Sequence, residues 1–147
     1  VRNLRGLTEY EVRRCQIIWE VLGGNEWCAL NISEADQHSS QSRFNEGRKI
    51  VFLGADVEPG VGTDARSRMS ALACLAHELA HVQRYERGYR RALELPDKLI
   101  DEAEASIEAS FFSALSMGDR TDLVEDSRDQ LTHWLSMVRT PGESHEN

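Results

Sequence analysis

Between Met69 and Arg84 the chain reads MSALACLAHELAHVQR, and this stretch decides how the rest is read. From Met69 to Val82 every residue is apolar or small except Ser70, His77, Glu78 and His81. A run of this kind is built to be buried. A buried polar group without a hydrogen-bond partner is costly, and a buried charge more so. Two imidazoles and a carboxylate within five positions therefore need something to satisfy them.

A helix supplies the geometry. Residues four apart lie one turn apart on the same face, so His77 and His81 can point at one ion. Glu78 sits about 100° round from His77. That keeps it clear of the ion but able to hold a water and take its proton. His77-Glu78-Leu79-Ala80-His81 is thus an HExxH motif in an apolar setting, where chance matches on solvated helices do not fall. Zinc suits the donor set, since it takes imidazole and carboxylate ligands and keeps one position open in catalytic sites.

Working outward, PGVGTD (Pro59–Asp64) reads as a loop whose Thr63 or Asp64 caps a helix from about Ala65 to Tyr85, ended by Gly88. Upstream, WCALNI and KIVFLGADV are short apolar, β-branched runs flanking a polar QSRFNEGR stretch, with NEGR (Asn45–Arg48) as a hairpin turn. They predict two or three antiparallel strands. Before them, Thr8–Glu11 (TEYE) is a capping-box pattern opening a helix that Gly23 and Gly24 stop. Downstream, Pro96 opens a helix running to about Met117, and a last helix spans roughly Thr121 to Val138. Leu123, Val124, Ser127, Leu131, Trp134, Leu135 and Val138 share one face of it. The polar tail 140–147 is expected to be disordered. The fold expected is α+β and zincin-like: a small antiparallel sheet packed with about four helices, as one domain over residues 1–139.

Two histidines leave a zinc site one protein ligand short. The nearest downstream acids are Asp101, Glu102, Glu104 and Glu108. Glu102 shares its helix face with Ala105, Ser106 and Ala109, small residues that let this helix approach the metal helix. Asp101, Glu104 and Glu108 gather on a neighbouring strip that reads as solvated. Glu102 is the third ligand on this reading.

HExxH followed by a glutamate on the next helix resembles the gluzincin plan of zinc peptidases. EAEASIEASF (Glu102–Phe111) is similar to the E-x-E-A stretch of the bacterial ImmA/IrrE-type metallopeptidases, which also place a short strand or two before the metal helix. That family's phenylalanine-alanine-alanine reads Glu108-Ala109-Ser110 here, and its Leu-Met-Pro ending is replaced by Ala114–Met117. The resemblance implies that His77, His81 and Glu102 bind Zn2+ and that Glu78 is the catalytic base. It also implies a regulatory protein as substrate, in stress or phage-defence control. In zincins an edge strand near the cleft pairs with the substrate backbone, and Ile50, Val51, Phe52 and Leu53 are the candidates. Tyr85 and Tyr89 are candidates for stabilising the transition state. His133 and His38 read as surface residues, and Cys74 as a small buried thiol.

Net charge and cysteine usage narrow the rest. The charge is −8, and the arginines at 84, 87, 90 and 91 sit close to Glu86 and Glu94, so no basic stripe is left to neutralise phosphates. Direct nucleic-acid binding is not expected. No apolar run reaches membrane-spanning length. Three cysteines without a CxxC spacing fit reduced thiols and a cytoplasmic setting. A peptidase of 147 residues with few recognition elements is expected to act on few protein or peptide targets, within a larger assembly or beside a flanking domain. The competing reading is a non-catalytic, zinc-stabilised interaction or sensor module. Glu78 discriminates, because a binding module has no need of an acid there.

Overall fold

The computed structural model describes residues 1–139, and the tail at 140–147 lies outside the described residues. Helix α1 (Glu9–Val21) begins where the capping box predicts: Thr8 accepts from Glu11 N, and the Glu11 side chain accepts from Thr8 N. Its buried side, Cys15 and Trp19, faces the sheet. Trp19 Nε1 donates to the Cys28 carbonyl at 3.1 Å, which ties α1 to the first strand.

Three strands follow: β1 (Ala29–Asn31), β2 (Arg43–Asn45) and β3 (Ile50–Phe52). The chain is α+β as expected, but the sheet is mixed rather than antiparallel. β2 and β3 form an antiparallel hairpin across the NEGR turn, where Asn45 Oδ1 accepts from Arg48 N. β1 lies parallel to β3 on its other side. The order β1-β3-β2 makes β3 the central strand. Residues Ile50–Phe52 therefore have no free edge, and strand addition there is ruled out. Val51, Phe52 and Leu53 are all buried, as suits a central strand covered on both faces.

The helix expected over Ala65–Tyr85 is two helices, α2 (Ala65–Arg68) and α3 (Ala71–Glu86). Met69 leaves the helical conformation, and Ser70 caps α3 by accepting from Ala73 N at 3.1 Å. A serine that satisfies a free helical N–H favours a new start over a continuous rod. Helix α4 (Asp97–Ala109) likewise stops short of Met117, because Ser116 and Asp119 form a capping box that opens α5 (Met117–Val138). Of the apolar face expected on α5, Leu123 and Ser127 are buried, while Val124, Leu131, Leu135 and Val138 stay largely exposed.

The core has two parts. Trp19, Phe44, Val51, Leu53, Leu75 and Leu79 fill the space between α1, the sheet and α3. Ala73, Ala76, Ala80, Ala105, Ala109 and Leu123 form the seam where α3, α4 and α5 meet. Small side chains let helix axes approach closely, and this seam is what brings α4 beside the HExxH helix. Arg2 pins the opposite end, donating to the carbonyls of Asp56, Val57, Arg66 and Met69. Among the described residues no helix is long and apolar enough to cross a membrane.

Candidate metal centre

The alanine seam brings His77, His81 and Glu102 together, with one ligand atom from each lying within 4.8 Å of the others. His81 Nε2 is 3.1 Å from His77 Nε2 and 3.3 Å from Glu102 Oε2. His77 Nε2 is 2.7 Å from the same oxygen. Two ligands of a tetrahedral zinc with bonds near 2.0 Å stand about 3.3 Å apart. Two of the three separations meet that spacing. The third is a direct hydrogen bond that must open by about half an ångström to admit an ion. The rings are edge-to-face, 85° apart, so both Nε2 atoms converge on one point. The residues present fit zinc.

The electrostatics of the cluster suit a cation. Burial pushes the His81 pKa down to about 4, so this imidazole is neutral at neutral pH. Burial also opposes a charge on His77, but the hydrogen bond and charge of Glu102, with the charge of Glu78, outweigh it and raise the pKa. Burial works against ionised Glu102 too, yet the two imidazoles hold its carboxyl well below the usual range. Glu78, on the other side of the helix ridge, makes no such bond, and burial pushes its pKa up to about 7.

His77, Glu78 and Glu102 line a cleft of about 560 Å³. One wall carries Leu93, Leu95 and Leu99, from the loop before α4 and from α4 itself. The other carries Gln41, Ser42 and Arg43 at the start of β2, which is an edge strand of the sheet. Arg66 and Arg91 also face this space. Arg91 donates to the Phe44 carbonyl at 2.9 Å, and its Nε has no partner among the described residues.

The remaining sequence candidates fall elsewhere. Tyr85 packs edge-on against Phe44, with Arg90 over its ring, in the larger core. Tyr89 is exposed beneath Arg84 and borders a small void beside His81. Neither tyrosine lines the cleft that holds Glu78. The acidic strip is not simply solvated, because Asp101, Glu104 and Glu108 surround the buried Arg84 and fasten α4 to α3. His38 and His133 are exposed. Cys74 is not among the converging ligands, and burial pushes its thiol up to about 12.

Sequence reading missed a buried chain of partners behind His77. Ser106 Oγ is 2.9 Å from His77 Nδ1 and donates to Asp126 Oδ2 at 2.7 Å. Asp126 accepts from Arg66 Nε and Nη2, both at 3.0 Å. Ser106 lies four residues after Glu102, and Asp126 three after Leu123. Helical spacing places Ser106 on the face of Glu102, but it leaves Asp126 off the apolar face of α5, and nothing in spacing alone joins α4 to α5.

No family model matches the chain, and no curated protein and no solved structure matches it significantly.

Proposed function

We propose that the chain is a zinc-dependent peptidase acting on a protein or peptide substrate. The observation that carries this reading is the convergence of His77, His81 and Glu102 with Glu78 beside them on an open cleft. Bound zinc supplies a Lewis acid that polarises a carbonyl and makes a water easier to ionise. His77, His81 and Glu102 would hold it. Glu78 takes a proton from the attacking water and delivers it to the leaving amine. Its burial disfavours the carboxylate and so favours a group that takes up a proton readily. The leucine wall and the β2 edge give an extended chain apolar and backbone surfaces to lie against. The likeness of EAEASIEASF to the ImmA/IrrE stretch points to a regulatory protein as substrate. Three free cysteines support a cytoplasmic setting.

A second reading is a non-catalytic, zinc-stabilised module, favoured by the depth of the site: His77, Glu78 and His81 are each buried. Metal analysis together with Glu78→Gln and His81→Ala separates the two. On the peptidase reading Glu78→Gln keeps zinc and abolishes cleavage, while His81→Ala loses zinc. Cleavage that survives Glu78→Gln sinks the catalytic assignment, and wild-type protein without zinc sinks both readings.

A further inference from the structure

We propose that Ser106 and Asp126 are positioning residues for the metal centre: they hold the Nδ1–H of His77, so that Nε2 is the nitrogen that offers its lone pair to the ion. This rests on the reading of His77 as a ligand.

Hydrogen ownership decides which nitrogen of His77 is protonated. An ionised carboxylate has no hydrogen to give, and Asp126 is gripped at two points by Arg66. The Ser106 hydroxyl hydrogen is therefore committed to Asp126 Oδ2, 2.7 Å away. What Ser106 turns toward His77 Nδ1, at 2.9 Å, is an oxygen that can only accept. Nδ1 must carry the hydrogen. A serine alone is ambiguous, since its hydroxyl can rotate and donate to Nδ1 instead. The carboxylate behind it removes that choice.

Burial sharpens the point. Ser106 is 0% and Asp126 1% exposed. If packing alone governed position 106, alanine would serve, as it does at Ala103, Ala105 and Ala109 on the same helix. If Asp126 served only to pair with Arg66, it would need no hydroxyl on its second oxygen. An outer partner that fixes a ligating imidazole's tautomer and orientation is a general need of metal sites.

The test uses the ¹⁵N-labelled chain in chelated and zinc-loaded forms, as wild type, Ser106→Ala and Asp126→Asn. Two quantities are read: the exchange rate of the His77 Nδ1 proton, and the zinc dissociation constant by competition with a chromophoric chelator. The wild-type proton is expected to exchange slowly in both forms. Ser106→Ala removes the acceptor, so exchange accelerates and zinc binding weakens about 10–100-fold. In Asp126→Asn the amide oxygen turns to Arg66 and its NH2 to Ser106. The hydroxyl hydrogen then faces His77, and zinc binding weakens by a similar factor. Ser106→Ala is the variant least prone to misfold, because it matches its neighbours. Loss of thermal stability with unchanged Nδ1 exchange and unchanged zinc affinity would make the chain merely structural and overturn the proposal. Equal zinc binding in wild type and both variants sinks the relay alone. No zinc uptake by wild type sinks the ligand reading and takes this proposal with it.

Discussion

His77 Nε2 stands 2.7 Å from Glu102 Oε2, a contact between two helices made by residues 25 apart in sequence. In the absence of an ion this is a proton-sharing pair, because the Glu102 hydrogen bond and charge raise the His77 pKa over the cost of burial. On the zinc reading, the ion and that proton compete for one nitrogen. Zinc uptake at neutral pH is therefore expected to release protons, and affinity to rise with pH as the ring loses its charge. Calorimetry in buffers of different ionisation enthalpy reads the proton count directly. Glu102→Gln should weaken zinc by more than the ~10–100-fold of losing an outer partner. An affinity that does not change from pH 6 to pH 8 contradicts the site.

Glu78 gives a prediction of opposite sign. Its folded pKa is raised to about 7 from an ordinary 4.5 because burial disfavours the carboxylate. The folded chain thus binds a proton that the unfolded chain has already lost, and stability falls as pH rises through this window. Below about pH 4.5 the cost is absent, and above about pH 7 it is complete. Glu78→Gln should therefore stabilise the chelated protein at pH 8, by on the order of 3 kcal/mol, and leave it unchanged near pH 4. Equal effects at the two pH values, seen in urea melts, would remove desolvation as the cause.

How much of this was legible beforehand follows from which interactions are local. The Thr8 capping box, the NEGR turn and the HExxH face are set by neighbours within four residues, and each lies where the sequence puts it. The place of Glu102 beside the two histidines was legible because it shares a face with small residues, and small residues mark close helix approach. The breaks at Met69 and after Ala109 turned on Ser70 and Ser116, caps hidden inside apolar periodicity. Strand order was lost to length: three-residue strands carry too little alternation to set direction. The Arg66–Asp126–Ser106 chain joins three helices, and no single helix's pattern contains it.

The alanine seam makes a packing prediction. Ala76 and Ala80 of α3 meet Ala105 and Ala109 of α4, all essentially without exposure. Ala76→Leu inserts a branched side chain where the helices touch. Overpacking of this kind costs about 1–3 kcal/mol. Here it also moves Glu102 away from the histidines, so zinc affinity should fall even though no ligand has changed. A variant that loses stability but keeps wild-type affinity would show that α4 is not positioned by this seam.

Arg2 is expected to matter more than its place near the start of the sequence suggests. Its guanidinium donates to four carbonyls that end the Ala55–Val57 turn and α2. Arg2→Ala leaves those carbonyls short of a charged donor, at a cost of about 2 kcal/mol or more. Arg5→Ala is the control, since its pair with Glu11 lies on the surface and should be worth under about 1 kcal/mol. Chemical denaturation of the two variants compares them. Equal losses would mean that the Arg2 clasp adds nothing beyond a surface pair.

Cys15 offers a measure of the metal site that needs no substrate. It is fully buried against the main core, and burial pushes its thiol up to about 12. The thiolate is the reactive form, so a maleimide at pH 7.5 should modify Cys15 only through unfolding of the core. A ligand that binds only the folded chain lowers that unfolded population, by about 2.7 kcal/mol at a concentration 100-fold above its dissociation constant. Labelling of Cys15 should accordingly slow about 100-fold with zinc at that excess and recover on chelation, although the thiol itself is no ligand. The same zinc should leave the rate unchanged in His81→Ala. Slowing that persists in that variant would place the bound zinc somewhere other than on His77, His81 and Glu102.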